Sequence, residues 1–598
     1  MICVLKFVKP YILLIFGVIA FILLEVTAAL ALPERMANIV NHGVLPGNFA
    51  AIWRNGAIML LITLGSVAVA LISGLFTAKI GTGVSSDLRS AVFKKIMSFS
   101  NAEMNKFATS SLITRTTNDI TQVQTALMLA IRQFIYAPMI AGGGLICALD
   151  RAPNMTWVIA AVTVFMLGCI SILVIVAMPK FNMIQGLVDR LNLVSRENLS
   201  GILVVRAFGT QNFEKKRFDK ANRDAAQTGL FISQVFAFMT PIIALTFNLT
   251  AALIVWFGAR EVSAFRMDIG DIFAFMQYGI LVVSAFLMIS VTFVFLPRAV
   301  VSARRIAEVL ETETSIKYKE NPIKLPENLR GEIEFCNVSF RYPKTDNGAE
   351  EAHSTDSASA KIAAQKDENV LEKVSFTAKS GETTAIIGAT GAGKTTVLNL
   401  LLRFYDVNDG AILIDGIDIR DLAKKDLHDK IAYVPQKSHL FSGNIRSNLL
   451  LADKQASEER LRRAVEISQS QALIQGKEGG YEANVAQGGT NFSGGQRQRL
   501  AIARALVKKS AIHLFDDSFS ALDVKTDSLL REALRTKSDE STKIIVAQRI
   551  SSIMDADQIV VLDDGVVAGK GTHVELLETC ALYKEIAASQ MSEEEMKR

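Results

Sequence analysis

The stretch Gly388-Ala-Thr-Gly-Ala-Gly-Lys-Thr-Thr396 decides the fold of the second half of the chain. It follows the apolar run Thr383–Ile387 and precedes the apolar run Val397–Leu402, so the pattern predicts a strand, a glycine loop and a helix. Glycines let backbone N–H groups approach phosphate oxygens, and the N-terminus of a helix adds a partial positive charge. We therefore predict a nucleotide-binding loop made of Gly388, Ala389, Thr390, Gly391, Ala392, Gly393, Lys394, Thr395 and Thr396.

Three side chains have defined roles in such a site. Lys394 is expected to reach the β- and γ-phosphates, and the Thr395 hydroxyl is expected to ligate Mg²⁺. The strand-like run Ala511–Phe515 leads into Asp516, and the carboxyl edge of a parallel sheet would place this carboxylate beside the phosphates as a further ligand of Mg²⁺. A glycine turn with an incidental lysine is the alternative, but the flanking runs and the acidic strand end favour ATP and Mg²⁺ as cofactors.

Composition indicates a membrane protein with more than one domain. The 598 residues are too many for a single hydrophobic core. Half of the residues are apolar and the mean hydropathy is +0.30, and the apolar residues concentrate in long runs in the first half. A net charge of +5 is too small to indicate a nucleic-acid partner. The five cysteines are scattered and form no C-x-x-C pair, which predicts neither a metal site nor a disulfide framework.

Six largely apolar runs are long enough to cross a bilayer. At about 1.5 Å rise per residue, about 20 helical residues cross a hydrocarbon layer of roughly 30 Å. The third run is the shortest of the six. The predicted spans are Pro10–Leu32, Gly56–Ala78, Gln133–Leu149, Met155–Pro179, Phe231–Ala259 and Ile272–Pro297.

The connections between these runs differ in charge. Lys and Arg concentrate in the long segments Lys79–Arg132 and Lys180–Leu230, whereas the links after the first, third and fifth runs hold few. Because excess Lys and Arg marks the cytoplasmic side, we expect both termini and the second domain to be cytoplasmic, in a multi-pass protein of the plasma (inner) membrane. The long segments keep helical periodicity, which predicts cytoplasmic extensions of the spanning helices.

Two features interrupt the apolar runs. Glu25 is the one charged residue of the first run, and an ionisable group at that depth indicates a functional site such as a substrate contact or a gate. Alternatively, this helix extends past the bilayer and Glu25 faces water. The segment Gly142–Gly144 in the third run is interpreted as a site of close helix packing.

These observations predict four regions along the chain. Residues 1–310 form the transmembrane domain, which ends in an amphipathic helix over Ser302–Leu310. Residues 311–330 form a polar linker, residues 331–590 form the nucleotide-binding domain, and residues 591–598 form a charged tail. Within the second domain, residues 344–369 contain almost no large apolar residue and are predicted to be a flexible insertion.

The segment Phe492-Ser-Gly-Gly-Gln496 resembles the signature of ATP-binding-cassette (ABC) proteins. Other elements stand in that family's order. Tyr342 resembles the aromatic residue that stacks on adenine, Gln436 resembles the glutamine that links Mg²⁺ to the transmembrane contact, and Ser520–Asp523 resembles the D-loop.

The resemblance implies an α-helical six-span transmembrane domain plus an α/β P-loop nucleotide-binding domain of ABC type. In this family two such half-transporters pair, and each ATP lies between the glycine loop of one chain and the signature of the other. The signature residues Ser493, Gly494, Gly495 and Gln496 would thus contact nucleotide on a partner chain. The segments Leu112–Asp119 and Gly201–Phe208 resemble the intracellular loops of ABC exporters, with short contact helices expected near Ser110–Thr117 and Ala207–Asn212.

The chain departs from the family pattern at its catalytic positions. The family places Glu after the strand-ending Asp as the general base, and this chain has Asp517, which is one methylene shorter. The family places His in the switch loop, and this chain has Gln548, which cannot carry a positive charge. The residue before Gly488 is usually acidic, and here it is Gln487. The catalytic residues predicted for this chain are Asp517, Gln548 and Gln436, with Gln436 also a metal-site residue.

These departures lead to one leading hypothesis. The chain would be half of a heterodimeric, multidrug-type ABC exporter that moves hydrophobic or amphipathic small molecules. Its own ATP site would bind well and hydrolyse weakly, while its intact signature completes the partner's active site. The alternatives are a homodimer with two slow sites, a homodimeric lipid flippase, and a nucleotide-sensing regulatory subunit. The sequence identifies neither the substrate nor the partner.

Overall fold

The computed structural model describes residues 6–326, 329–343, 368–536 and 541–591. Within the helices between residues 170 and 297, the side chains of several positions are outside this description. Most of the predicted insertion (residues 344–367) and all but the first residue of the predicted tail (residues 592–598) also lie outside the described residues. The described chain forms two units, one made of the residues up to Lys95 together with Ile113–Glu311, the other of Ile96–Leu112 together with the residues from Thr312 onward.

Long helices dominate the N-terminal half. The helices in chain order are α1 (Ile12–Ile39), α2 (Phe49–Ser98), α3 (Asn101–Lys106), α4 (Thr109–Thr114), α5 (Ile120–Arg151), α6 (Thr156–Ser200), α7 (Ile202–Ala207), α8 (Gln211–Ser263) and α9 (Ile269–Glu311). Each predicted span falls in a different one of the six long helices, apart from end residues in the 3-10 turns Lys6–Tyr11 and Pro153–Met155. Both long basic segments are helical over most of their length, as predicted, because α2 extends to Ser98 and α6 to Ser200.

The first unit has the composition of a membrane-embedded bundle. Among the described residues, four helical segments are long and apolar enough to cross a bilayer: Lys6–Val44, Phe49–Ser98, Thr109–Arg151 and Ile269–Phe286. Helix α5 packs extensively on α9, and α6 packs on α8. The interpretation of the glycine segment is confirmed for two positions, since a Cβ on Gly143 would lie 2.3 Å from Leu30 Cδ1 of α1, and one on Gly144 would lie 3.0 Å from Val282 Cγ2 of α9.

The second unit contains a parallel sheet with an antiparallel edge. Its strands are β1 (Ile333–Phe340), β2 (Leu371–Ala378), β3 (Thr383–Gly388), β4 (Asp409–Ile414), β5 (Ile417–Asp418), β6 (Ile431–Val434), β7 (Gly443–Asn444), β8 (Asn484–Val485), β9 (Ile512–Asp516), β10 (Thr542–Val546), β11 (Gln558–Asp563) and β12 (Val566–Gly571). The six-stranded sheet has the order β12-β11-β3-β10-β9-β6, with β3, β6, β9, β10 and β11 parallel. A second sheet, β2-β1-β4-β5, is antiparallel.

The remaining helices surround these sheets. They are α10 (Lys394–Leu401), α11 (Lys424–Lys430), α12 (Ile445–Leu449), α13 (Glu458–Ile467), α14 (Gln471–Gln475), α15 (Gly494–Val507), α16 (Val524–Thr536), α17 (His573–Thr579) and α18 (Ala581–Gln590). The strands β3, β9 and β10 are almost fully buried, as expected for parallel strands covered on both faces. Their carboxyl ends meet at one edge, where Gly388, Asp516 and Val546 end neighbouring strands.

The segment Ile96–Leu112 belongs to the second unit although the sequence placed it in the transmembrane domain. Ser100 caps α3 through a reciprocal capping box with Glu103. Glu103 Oε1 accepts a hydrogen bond of 2.9 Å from the Ser315 backbone N–H, and Asn105 Nδ2 donates one of 2.8 Å to the Tyr405 hydroxyl. These bonds come from α3, which precedes the expected segment Ser110–Thr117, and that segment overlaps the next short helix, α4 (Thr109–Thr114). The second short helix, α7, lies just before the expected Ala207–Asn212.

Candidate active site

The glycine loop joins β3 to α10 and has the tight geometry that its sequence predicts. Gly391 and Gly393 have φ values of 93° and 92°, which residues with a Cβ rarely adopt. A Cβ on Gly393 would lie 2.6 Å from Leu371 Cδ2, and one on Gly388 would lie 2.1 Å from the Leu562 carbonyl oxygen. Helix α10 begins at Lys394, so the backbone N–H groups of its first turn, which have no partner within the helix, lie next to the loop. This cradle fits a phosphate chain.

Lys394 is held within the loop by backbone carbonyls. Its Nζ donates hydrogen bonds to the carbonyl oxygens of Gly388 at 2.8 Å and Ala389 at 2.7 Å. Burial lowers the pKa of this ammonium group, while the carboxylates of Asp517 and Asp516 act in the opposite direction. A buried cation beside the loop N–H groups is the arrangement that phosphate oxygens require.

Two of the three residues predicted for the metal site, Thr395 and Asp516, are in contact, whereas Gln436 donates its hydrogen bond to Asp517. The Thr395 hydroxyl donates a hydrogen bond of 2.9 Å to Asp516 Oδ1, and the Tyr433 hydroxyl donates one of 3.4 Å to Asp516 Oδ2. Burial raises the pKa of Asp516 to about 6, and the charge on Asp517 adds to this effect. The hydrogen bonds from Thr395 and Tyr433 lower the pKa and oppose the shift in part. A hydroxyl and a carboxylate suit Mg²⁺, so this pair of residues fits the ion. Tyr433 was not predicted to belong to the site.

The three predicted catalytic side chains meet at a single oxygen atom. Gln548 Nε2 donates to Asp517 Oδ2 at 3.0 Å, and Gln436 Nε2 donates to the same oxygen at 3.3 Å. Asp517 has a φ of 45°, in the left-handed region, and its backbone N–H donates to the Val546 carbonyl at 2.9 Å. Burial raises the pKa of Asp517, whereas its hydrogen bonds and nearby Lys394 and Arg549 lower it.

Tyr342 lies next to the loop, but its hydroxyl is engaged. It shares a hydrogen bond of 3.0 Å with Thr396 Oγ1. The ring makes edge contacts with Phe340 at 4.9 Å and with Tyr405 at 5.1 Å between centroids. Burial raises the pKa of the Tyr342 phenol. The predicted role of Tyr342 in stacking on adenine stays a prediction.

The signature residues form the start of α15. Ser493 Oγ accepts a hydrogen bond from the Gln496 backbone N–H at 3.3 Å, and Gln496 Oε1 accepts one from the Ser493 N–H at 3.0 Å. Ser493 and Gly494 are exposed. Among the described residues, no side-chain hydrogen bond joins the signature to the glycine loop. The contact that the family resemblance implies would therefore have to be made with another chain.

Gln590 contacts the switch loop and was not predicted from the sequence. Gln590, the last residue of α18, donates through Nε2 to the Gln548 carbonyl oxygen at 2.9 Å. Its Oε1 accepts a hydrogen bond of 2.9 Å from the backbone N–H of Ile550. These two bonds hold the backbone of the switch loop on both sides of Arg549. No local pattern around Gln590 identifies it, because its partners lie about forty residues earlier in the sequence.

Comparisons with known proteins agree with this arrangement. The family profile described as the ABC transporter transmembrane region matches residues 9–286, and the one described as ABC transporter matches residues 371–520. An uncharacterised ABC transporter ATP-binding protein of Mycobacterium tuberculosis (strain CDC 1551 / Oshkosh) is 38% identical over 587 residues, covering 98% of this chain and 97% of that protein. An ATP-dependent lipid A-core flippase of Pseudomonas aeruginosa is 30% identical over 532 residues, covering 88% of this chain and 83% of the flippase.

A solved structure extends the likeness to the whole fold. The structure of a bacterial Atm1-family ABC exporter with ATP bound matches with a TM-score of 0.78 and 24% identity, covering 98% of this chain and 100% of that chain. The helical membrane region and the nucleotide-binding domain both lie within this match. The relatives and the two matched regions together establish that this chain is a half-transporter of the ABC transporter family.

Proposed function

We propose that this chain is the weakly hydrolysing half of a heterodimeric ABC exporter. The observation that carries the proposal is the geometry at Asp517. A general base has to lie within hydrogen-bond reach of the water that it deprotonates. Asp517 is one methylene shorter than the family's Glu, and its Oδ2 already accepts N–H groups from Gln436 and Gln548. Both features support a site that binds ATP and cleaves it slowly.

The remaining residues of the site suit nucleotide binding. Mg²⁺, when bound with ATP, would neutralise charge on the phosphates. Thr395 and Asp516 would hold the metal, Lys394 would bind the phosphates, and Gln548 would donate a hydrogen bond without adding a charge. ATP retained at this site would stabilise the closed pair of nucleotide-binding domains, because a ligand favours the state for which it has higher affinity. Hydrolysis at the partner's site would reopen the pair.

The exported substrate is proposed to be a hydrophobic or amphipathic small molecule of the multidrug type. The described membrane helices are built mainly from aliphatic and aromatic residues, which suits apolar cargo. The protein is proposed to lie in the plasma (inner) membrane with both termini and the nucleotide-binding domain in the cytoplasm. Lys and Arg concentrate in the long segments Lys79–Arg132 and Lys180–Leu230, and such an excess marks the cytoplasmic side.

The test restores the family's residues at the two altered positions. The Asp517→Glu, Gln548→His double variant should hydrolyse Mg-ATP about 10- to 100-fold faster than the wild-type chain, because a well-placed base contributes 10²–10⁴ in rate. The measurement is phosphate release by the purified full chain in lipid nanodiscs, with Asp517→Asn as the matched control. Rapid hydrolysis by the wild-type chain alone that Asp517→Asn abolishes would overturn the proposal.

A homodimeric lipid flippase is the second candidate. The identity with the flippase of Pseudomonas aeruginosa favours it. In that case the purified chain would form a homodimer that moves a fluorescent lipid between leaflets in an ATP-dependent way, with no second half-transporter present. A nucleotide-sensing subunit, the remaining alternative, would leave transport by the assembled complex intact when the partner's general base is neutralised.

A further inference from the structure

An ion pair links α1 to α5 in the helical bundle. Glu25 is the one acidic or basic residue between Lys9 and Glu34. Its partner is Arg132 of α5, whose Nη2 lies 3.2 Å from Glu25 Oε1 and which ends the basic segment Lys79–Arg132. An ionisable group within an otherwise apolar transmembrane run is by default associated with function.

The pairing leaves one carboxylate oxygen unused. Glu25 is only 8% exposed, and its Oε2 is buried with no hydrogen-bond partner among the described residues. The contact with Arg132 is a single hydrogen bond, whereas a guanidinium can bind both oxygens of a carboxylate at once. The side chain of Arg132 is 41% exposed, so part of its guanidinium faces away from Glu25. The carboxylate therefore has a free acceptor in a low-dielectric setting.

Two residues that share α5 with Arg132 indicate what would occupy that acceptor. Gln133 directly follows Arg132, and its Oε1 is also buried without a described partner, so both orphaned atoms accept hydrogen bonds and neither donates one. Tyr136 follows Arg132 by one turn and lies within electrostatic reach of both Glu25 and Arg132, and the face of a tyrosine ring attracts cations. An anionic ligand could pair with Arg132, but the unpaired carboxylate oxygen of Glu25 would repel it. The chemistry of the site selects a positively charged N–H donor.

We propose that Glu25, Gln133 and Tyr136 bind the protonated amine of an amphiphilic amine, whose apolar part lies among the membrane helices. Arg132 is the resident partner that the amine displaces in part. This inference rests on the proposed export of amphipathic compounds and names their chemical class. Glu25 then selects the head group of the substrate, and its ion pair with Arg132 does more than hold α1 against α5.

The test compares two fluorescent probes that differ at one end. Monodansylcadaverine carries a primary amine, and N-pentyl dansylamide is the same molecule without it. Binding to the full chain in nanodiscs is measured by dansyl fluorescence, with empty nanodiscs subtracted. The wild-type chain should bind the amine at least about tenfold more tightly than its neutral analogue, and Glu25→Gln should reduce that preference to about twofold or less. Arg132→Gln should increase the preference, because it removes the competitor of the amine.

Glu34→Gln is the matched control. Glu34 is a second carboxylate of α1 that pairs with an arginine, Arg151, at 3.0 Å, but its side chain is 47% exposed. This variant should keep the wild-type preference, and retained binding of N-pentyl dansylamide reports that each variant is folded. Equal binding of the two probes by the wild-type chain, an equal loss in Glu34→Gln, or a lower preference in Arg132→Gln would overturn the inference. Binding requires neither ATP hydrolysis nor a partner chain, so these outcomes are separate from failure of the proposed function.

Discussion

In the absence of a metal ion, the Asp516 carboxyl group can be protonated or ionised at mildly acidic pH. It is 2% exposed and lies beside a second carboxylate, Asp517. Burial disfavours the ionised form, and the adjacent negative charge adds to that effect. The pKa of Asp516 is consequently raised from 3.8 to about 6. Mg²⁺ would reverse this balance, because a divalent cation favours the ionised carboxylate.

This shift predicts a pH dependence of stability in the metal-free protein. The folded state binds the proton more tightly than the unfolded state, so the contribution is present in full below about pH 4 and is lost as the pH rises through about 6. A change of pKa from 3.8 to about 6 corresponds to roughly 3 kcal/mol. Thermal unfolding of the wild-type chain in EDTA, relative to Asp516→Asn, should show stability falling between pH 4 and pH 6. A constant difference between the two proteins over that range would contradict the prediction, and excess Mg-ATP at pH 7 should restore stability only in the wild-type chain.

The family resemblance selected Asp517, Gln548 and Gln436 as catalytic positions but did not say how they contact one another. The structure brings the three side chains together, and their catalytic roles stay predictions. That both amides donate to a single oxygen of Asp517 depends on side-chain rotamers and on a φ of 45°. Such a φ is adopted more readily by Asp than by most residues. Spacing also gave no sign that the Tyr342 hydroxyl contacts Thr396.

At the scale of elements, the C-terminal helix α18 supports the switch loop. Gln590 contacts the backbone of Gln548 and Ile550 through two hydrogen bonds of 2.9 Å. Ile550 is fully buried, so loss of its partner would leave a backbone N–H unsatisfied at a cost of about 1–3 kcal/mol. Because the same loop carries Gln548, which donates a hydrogen bond to Asp517, α18 would position a side chain that is predicted to be catalytic.

Gln590→Ala should therefore impair turnover more than nucleotide affinity. In the Asp517→Glu, Gln548→His background, we expect kcat to fall about tenfold, since misplacing a catalytic group is costly, while KM for ATP changes less than about twofold. Ser589→Ala is the matched control, because Ser589 lies on the same helix and its hydroxyl bonds only locally, to Ile586. An unchanged kcat in Gln590→Ala, or an equal effect of Ser589→Ala, would show that the loop does not depend on this contact.

Helix prediction was accurate where hydropathy decides the outcome and less so for short elements. Apolar runs located all six long helices, because burial in lipid requires an uninterrupted helix. The short helix expected on family resemblance at Ser110–Thr117 overlaps α4 (Thr109–Thr114), whereas α3 (Asn101–Lys106) was not predicted. A local signal was present nevertheless: Ser100 and Glu103 have the spacing of a capping box, which marks a helix N-terminus, and the structure shows that box.

At the scale of the whole molecule, no side-chain hydrogen bond joins the signature to the glycine loop within the part of the chain that the structure describes. Ser493 is exposed and also caps α15, so replacing it would disturb the helix as well as any docked nucleotide. Gly494 avoids this complication. Among the described atoms of the chain, none lies within 4 Å of a Cβ built on Gly494. The described part of the chain thus leaves space for a Cβ at this position, and a ligand or partner that docks on the signature from outside would meet the added side chain.

Gly494→Asp consequently tests which site the signature serves. An acidic side chain in the first turn of α15 is compatible with the helix dipole, so the chain should fold, while the added carboxylate would repel the phosphates of a docked ATP. If a second half-transporter pairs with this chain as proposed, Gly494→Asp should lower the ATPase activity of the complex at least about tenfold, in line with the loss of a stabilising contact to the transferred phosphate. Asp517→Asn in the same chain should lower it less than about twofold, because in the proposed heterodimer hydrolysis would take place mainly at the partner's loop. In a homodimer both variants would alter the same two sites, and comparable losses from the two substitutions would exclude the division of labour between subunits.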